Sequence, residues 1–555
     1  MPILVDKAAL HPSDILKITE TTTYTQEYIS ALQLPITITL DTVTNLLTAA
    51  HVISSEDFGA TAAVTWANNF QLNPDLLLRD KSEFINMNRD LPQLARSRQQ
   101  KQAPYRLSVE RIWATFGPSG HNSTTLSSLD FQRLLDFATL GVRIFTPPSI
   151  TPCSDIIPLR KRYVQVQCAI HKLFDKQMQD ETVLILPLDL ALTIPNIHLQ
   201  NSQHWTTKKN KAQGRAIADL SNSPDPTLHT PLNGASPADR AAVTDMCNTV
   251  YGEIKHPTLK ELALMVLFFA EEHSWDDIIL WKMDLKGAFT LLWINPDHTP
   301  LLAFLLVGGL VIIHLVGIFG WAGMPHPFHV LTKALEALIT SRISGKSRFY
   351  VDDLMAVSSK VSLLADQDIA RSTIMSLAGP NALATDKDET GRRLDFIGWQ
   401  FCLDTKTISL SHHNLLKTCH AFFCFNINDK LPCVLVQRMS SLAIRISELC
   451  PYMKPHTSNL TTSIYGFNLS APSVRHTMST ATKCEITIWR TFLILIFTET
   501  ISIIRPISFF RPIPPTIYIA YDASLTGLAA GLSIYTPVSK RYELVSFAAV
   551  DGCTL

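Results

Sequence analysis

The run Phe349-Tyr350-Val351-Asp352-Asp353-Leu354-Met355 constrains this chain more than any other. An apolar stretch is broken by two adjacent carboxylates and then resumes. Unpaired charge in a packed sheet is costly. Acids kept at such a place need a partner, and the common partner of a close acidic cluster is a divalent cation. A third acid, Asp284, ends the apolar strand pattern of residues 278 to 283. Asp284 and Asp352 are 68 residues apart (352 minus 284), with a hairpin and a helix expected between them. That is enough chain to set the two strands side by side in one sheet. Three carboxylates at one point could hold two Mg2+ ions about 4 Å apart, the arrangement that activates an attacking hydroxyl and steadies a leaving oxygen in phosphoryl transfer. Taken singly, each acid has a plainer reading: Asp284 as the cap of a helix starting at Leu285, and Asp352-Asp353 as an ordinary turn.

Composition narrows the class. A chain of 555 residues has room for three or four domains. Hydrophobic residues make up 46% and charged residues 17%, the latter below the roughly 25% of an ordinary domain, so most of the chain is expected to fold. Lys+Arg and Asp+Glu are both 48. A net charge of zero argues against holding nucleic acid by bulk charge and leaves room for a local basic groove. The ten cysteines are scattered singly and read as free thiols in a reducing compartment. The first residues lack the pattern of a signal peptide, and the compartment stays open between cytoplasm and nucleus. Residues 301 to 320 have the length of a bilayer span. Gly308-Gly309 between two strand-forming runs makes them a hairpin instead. A second apolar stretch, residues 492 to 504, is interrupted by Glu499 and stopped by Arg505-Pro506. No membrane association is expected; an integral membrane protein built on residues 301 to 320 is the rival that this reading sets aside.

Residues 1 to 150 are weakly patterned, and Gln99-Gln100-Lys101-Gln102 reads as a solvated loop. The spacing predicts a helix over residues 159–178, a basic hairpin tip over 206–215 running into a strand, and a loop over 221–237. Further helices are predicted over 258–273, 327–341 and 434–449, and a hairpin from residues 394–401 and 407–410. Near the end, residues 516–522 read as a strand closing on Asp522, with a returning strand over 527–534. Strands mixed with helices imply an α+β or α/β architecture. Cys419, His420 and Cys424, with His412 and His413, match no zinc-binding spacing, and Phe422-Phe423 among them points to core.

Tyr350-Val351-Asp352-Asp353 and Asp284-Leu285-Lys286-Gly287-Ala288-Phe289 together resemble two motifs of the retroelement reverse transcriptases. The resemblance runs over residues 155 to 460. It implies an α+β right-hand polymerase of fingers, palm and thumb, with fingers and palm in 151–415, thumb and connection in 416–510, and an N-terminal region of unassigned role in 1–150. It implies Asp284 and Asp352 as metal ligands with Asp353 supporting, for two Mg2+ ions with Mn2+ possible. Phe289 would be the steric gate, a ring beneath the sugar that excludes the 2′-hydroxyl. Phe319 to Phe328 resembles the loop that positions template and nucleotide, where Gly320 would admit close backbone approach and Pro325 would open the next helix. Arg215 matches the fingertip arginine that contacts the triphosphate. Lys208, Lys209 or Lys211 would add a second cation. Lys387 falls where the family places a general acid for pyrophosphate departure, and residues 394–401 resemble the primer grip. The stretch from Arg215 to Ser221 looks most like the tyrosine-recombinase retroelements of the DIRS or Ngaro type. Residues 511–555 resemble the opening of a ribonuclease H domain with Asp522 as its first acid; without the remaining acids, no nuclease activity is expected from this chain.

The function implied is RNA-directed DNA synthesis by a retrotransposon enzyme, with a primed RNA or DNA template and deoxynucleoside triphosphates as partners. The alternative is a decayed remnant that binds nucleic acid at most.

Overall fold

The computed structural model describes residues 67, 69–117, 126–148, 150–157, 159, 161–208, 211–221, 231–234, 236–465, 475–497, 501–511, 517–523, 527–536 and 541–551. The chain divides into one unit up to Pro506 and a second from Ile507 to Leu555.

In chain order the first unit opens with α1 (Pro74–Asn86), α2 (Leu91–Gln102), α3 (Val109–Phe116) and α4 (Ser128–Thr139). Next come α5 (Gln167–Gln179), β1 (Val183–Pro187), and the long hairpin of β2 (Ser202–Lys208) and β3 (Lys211–Asp219). Then follow α6 (Pro237–Tyr251), α7 (Leu259–His273), β4 (Ile278–Asp284), β5 (Ala303–Leu306) and β6 (Leu310–His314). After α8 (Pro325–Arg342) come β7 (Lys346–Tyr350), β8 (Asp353–Ser359), α9 (Leu363–Ala378) and β9 (Glu389–Gly391). The unit closes with β10 (Arg393–Phe396), β11 (Trp399–Cys402), β12 (Thr407–Leu410), α10 (His412–Phe423), α11 (Cys433–Leu449), α12 (Ser458–Tyr465), α13 (Thr480–Phe497) and β13 (Arg505–Pro506).

The sheet that matters for function has the order β7-β8-β4-β9 and is antiparallel at each pairing. Its centre is apolar because Leu280, Trp281, Leu354, Met355, Ala356 and Val357 are all fully buried. The indole of Trp281 donates to Ser358 Oγ at 2.9 Å, which meets the one polar need that burying the ring creates. Helix α7 packs against β7 and β8. Its start is fixed by a capping box, Thr258 accepting from the Glu261 amide while the Glu261 carboxylate accepts from the Thr258 amide. Helix α8 opens with Pro325 in its first turn, where a missing N–H costs nothing.

A smaller sheet of order β1-β6-β5 contains the apolar segment of bilayer length, and the Gly308-Gly309 turn (φ 85° and 71°) makes it the expected hairpin. No helix among the described residues is long and apolar enough to cross a membrane. The first six residues of the second apolar stretch, 492–497, end α13, which buries Trp489, Phe492 and Leu493. Nine cysteines among the described residues are free.

Three local expectations are corrected. Gln99 to Gln102 is the last turn of α2, and Gln99 is buried with its amide donating to Ala138 O at 3.1 Å. The helix of 159–178 is broken at Val166 into residues 161–165 and α5. Residues 394–410 form a three-stranded meander, because Ile397-Gly398 takes positive φ and turns β10 into β11.

The N-terminal helices are anchored to the small sheet by a buried ion network. Arg98 of α2 donates to Asp80 Oδ1 at 2.7 Å, Glu83 Oε2 at 2.8 Å and Val183 O at 2.8 Å, and Asp80 accepts the Ile185 amide. In the second unit, β14 (Ile517–Ala523), β15 (Gly527–Thr536) and β16 (Arg541–Asp551) form an antiparallel sheet in that order, with Asp522 opposite Ala529.

A buried carboxylate fixes the approach to the acidic hairpin. Asp366 accepts from the Ser344 amide (2.9 Å), the Gly345 amide (3.1 Å), Ser358 Oγ (2.6 Å) and Ser362 Oγ (3.1 Å). It therefore ties the turn before β7 to the end of β8. Asp366→Ala leaves several buried donors unmet and is expected to destabilise the first unit by about 3 kcal/mol; chemical denaturation checks this, and a loss within experimental error of zero contradicts it.

Candidate active site

The three acids converge through strand pairing. β4 and β8 run antiparallel with Asp284 directly opposite Asp353. The Leu285 amide donates to Asp352 O at 2.9 Å, which extends the ladder by one bond onto the hairpin itself. The hairpin is as tight as one can be: Tyr350 pairs with Asp353, leaving Val351 and Asp352 as the turn. Asp284 is neither a helix cap nor free; it is 7% exposed at the end of a central strand. Asp352 lies in the turn, as the plainer reading allowed, while Asp353 opens β8 and faces the third acid. Val351 has φ 54°, a conformation that a β-branched residue adopts only under constraint.

Crowding shows in the acid strengths. Burial raises the pKa of Asp352, and Asp284 raises it further, against the pull of Lys387 and Arg215. Asp353 is pushed up to about 7 by burial, by the charges of Asp352 and Asp284, and by a hydrogen bond shared with Asp284. Two of the three acids are thus held in a place that disfavours their charge.

Lys387 lies on the single turn of residues 385–387, and its ammonium donates to Asp284 Oδ2 at 2.6 Å. The backbone holds it there. Ala384 N donates to Asp284 O at 2.9 Å, and Lys286 N donates to Ala382 O at 2.8 Å. Arg215 is exposed on β3 and close enough to act on the charge of Asp352. Lys208 ends β2, paired with Lys211; the side chain of Lys208 and all of Lys209 lie outside the described residues, as does the side chain of Asp522.

Phe289 is buried in the 3-10 turn of residues 288–291, which follows Gly287 at φ 79°. Its ring packs at 4.6 Å on Phe319 and at 5.2 Å, edge-on, against Phe328. Gly320 lies against β3. At φ 121°, a Cβ there would sit 2.1 Å from Ala218 O, so the glycine admits β3 to the loop. Three residues that sequence reasoning missed hold these parts in place. Asn233, within the stretch expected as loop, donates to Gly320 O at 2.6 Å and accepts the Ala322 amide at 2.9 Å. Glu336 of α8 accepts the Phe349 amide at 2.7 Å, satisfying the outer edge of β7. His256 stacks on Tyr350 at 4.7 Å. An Asn in a polar stretch, a Glu on a helix face and a His before a Pro carry no spacing signal of these roles.

Hard oxygen donors of like charge, crowded and partly buried, suit a divalent cation of the Mg2+ kind. Among the described residues no set of three or more Asp, Glu, His or Cys side chains already forms a metal cage. The Lys387 ammonium, itself half-exposed, occupies Oδ2 of Asp284.

No family model matches the chain, and no curated protein does. Among solved structures it is similar to the foamy viral protease-reverse transcriptase. The dRH form in complex with double-stranded DNA gives 12% identity over 80% of this chain and 68% of that one, with a TM-score of 0.41. The protein in complex with an RNA/DNA hybrid gives 12%, 77% and 50%, with a TM-score of 0.40. The complex with double-stranded DNA gives 12%, 80% and 81%, with a TM-score of 0.39. These superpositions are loose.

The raised pKa of Asp353 has a stability consequence without divalent ions. Its native value of about 7 lies above the unfolded one, so its contribution is present at low pH and lost as pH rises through about 7. Asp353→Asn is expected to gain stability relative to wild type between pH 5 and pH 8 in chelator; equal pH slopes in denaturation midpoints contradict this.

Proposed function

We propose that this protein is a template-directed nucleotidyltransferase, an RNA-directed DNA polymerase of a retrotransposon. The observation that carries the reading is the register that sets Asp284 against Asp353, with Asp352 tied by its carbonyl to Leu285. On this reading the sheet β7-β8-β4-β9 is the palm, and the hairpin β2–β3 belongs to the fingers. The reaction joins a primer 3′-hydroxyl to the α-phosphate of a deoxynucleoside triphosphate with loss of pyrophosphate.

Asp284 and Asp352 would hold two Mg2+ ions, with Asp353 supporting. Such ions lower the pKa of an attacking hydroxyl and neutralise charge on the leaving oxygen. The chain's own residues do the rest. Arg215 brings a guanidinium fork suited to phosphate oxygens. Lys387 carries a proton on Nζ that it can give to the departing pyrophosphate, and its half-exposed side chain leaves it free to turn from Asp284. The stacked Phe289 ring restricts the space below the sugar. Catalysis is mostly positioning and charge neutralisation.

Primer extension on an RNA template with Mg2+ and with Mn2+ tests the reading. Asp352→Asn is expected to lower the rate about a thousandfold, the order seen when a charge-stabilising group is lost. Equal product from wild type and mutant refutes the polymerase and leaves a nucleic-acid-binding remnant. Phe289→Ala is expected to raise incorporation of ribonucleotides relative to deoxynucleotides by about tenfold or more, since one filled or emptied apolar subsite discriminates on that order; an unchanged ratio removes Phe289 from the sugar site.

A further inference from the structure

Residues 103–108, which join α2 to α3, and the first turn of α3 lie far in sequence from the acids, yet they touch both ends of the chain segment that presents Asp284 and Lys387. On one side they dock on the end of α9. Arg111 donates to Met375 O at 3.1 Å and Ser376 O at 2.7 Å, and to Pro104 O at 2.7 Å. Cationic donors suit the unmet carbonyls of a helix C-terminus. Gly379, at φ 105°, follows directly, and a Cβ there would lie 2.0 Å from Tyr105 O. The chain leaving this contact supplies Ala382 O to Lys286 and Ala384 N to Asp284 before it reaches Lys387.

On the other side the same segment reaches the Phe289 turn. The Arg106 guanidinium donates to Thr290 O and lies over the Trp293 ring at 5.5 Å. Burial pulls its pKa down to about 10, so it remains a cation at neutral pH. The turn that it grips is an unusual one: Gly287 and Ala288 both have positive φ, 79° and 40°. Phe319 and Phe328 hold the Phe289 ring, and Arg106 holds the backbone one residue on.

We propose that Arg106 is a positioning residue that fixes the Phe289 turn and thereby sets how strictly the site rejects ribonucleotides. The proposal rests on the polymerase reading and assigns to the N-terminal helices a part in substrate selection. Arginine is the side chain required. It donates to a carbonyl while its plane covers an indole, and lysine, a point charge without a plane, cannot make both contacts in that geometry. A residue that acts through another shows itself by non-additivity.

The test measures kcat/KM for a deoxynucleotide and the matching ribonucleotide in primer extension by wild type, Arg106→Ala, Arg106→Lys, Phe289→Ala, Asp352→Asn and the double variant Arg106→Ala/Phe289→Ala. Arg106→Ala is expected to raise the ribonucleotide-to-deoxynucleotide ratio about tenfold, because small misplacements of a positioning group cost up to about a hundredfold. Arg106→Lys should fall between, and it carries the comparison if the alanine variant does not fold. In the Phe289→Ala background, Arg106→Ala should leave the ratio unchanged. If Arg106→Ala or Arg106→Lys lowers both efficiencies alike, or the double variant shows additive effects, Arg106 is structural only and the proposal fails while the polymerase stands. If wild type shows no extension that Asp352→Asn abolishes, the polymerase reading fails and takes this proposal with it.

Discussion

The pairing of β4 with β8 is the constraint on which the rest depends. Its last rung sets Asp284 against Asp353, and the bond from Leu285 to Asp352 O carries the ladder onto the turn. A slip of one residue in this register would exchange the two faces of β8, both of them buried and each packed against different neighbours, and would move Asp353 off Asp284. The buried run Leu354 to Val357 therefore enforces the meeting of the acids. Packing energy elsewhere in the strand holds like charges together that would otherwise separate.

Several satisfied polar groups keep that arrangement from relaxing. Asp366 closes the turn before β7, Glu336 occupies the outward amide of Phe349, and Ser358 answers both Trp281 and Asp366. Buried carboxylates of this sort are costly unless every contact is met. Here they are met by backbone amides and hydroxyls on neighbouring elements. The strain at Val351 is thus surrounded by fixed points on both strands and on α8. A hairpin so held presents its carboxylates at set positions, which a site working by placement needs.

The sequence disclosed the parts whose signal is local. Alternating or continuous apolar runs marked β4, β8 and the Gly308-Gly309 hairpin, and Pro325 marked the start of α8. The acids could be named because charge interrupting an apolar run is rare. What stayed hidden depends on partners distant in the chain. Gln99 looked solvated because its amide partner, Ala138, lies 39 residues away. The close approach of Ala218 O on β3 to Gly320 likewise joins residues 102 apart (320 minus 218). Arg98, Arg106 and Arg111 carried no motif, since each acts on backbone carbonyls that any sequence supplies. The N-terminal helices were illegible for the same reason. Their role lies in what they brace, and bracing leaves no periodic trace.

The balance of charge at the hairpin joins these points. Three carboxylates face Lys387, Arg215 and, through Asp353, Lys282, which is itself paired with Glu389 at 2.8 Å. The cations present therefore only partly offset the acids, and Asp352 and Asp353 stay shifted toward their protonated forms. A folded site that disfavours its own ionised state gains most when a cation arrives from outside, because the attraction is realised without moving the backbone. The ammonium of Lys387 is the part able to give way: it sits on a short surface turn while Asp284 sits in a central strand. A chain with no net charge can in this way concentrate negative potential at one hairpin without raising the electrostatic cost of folding elsewhere.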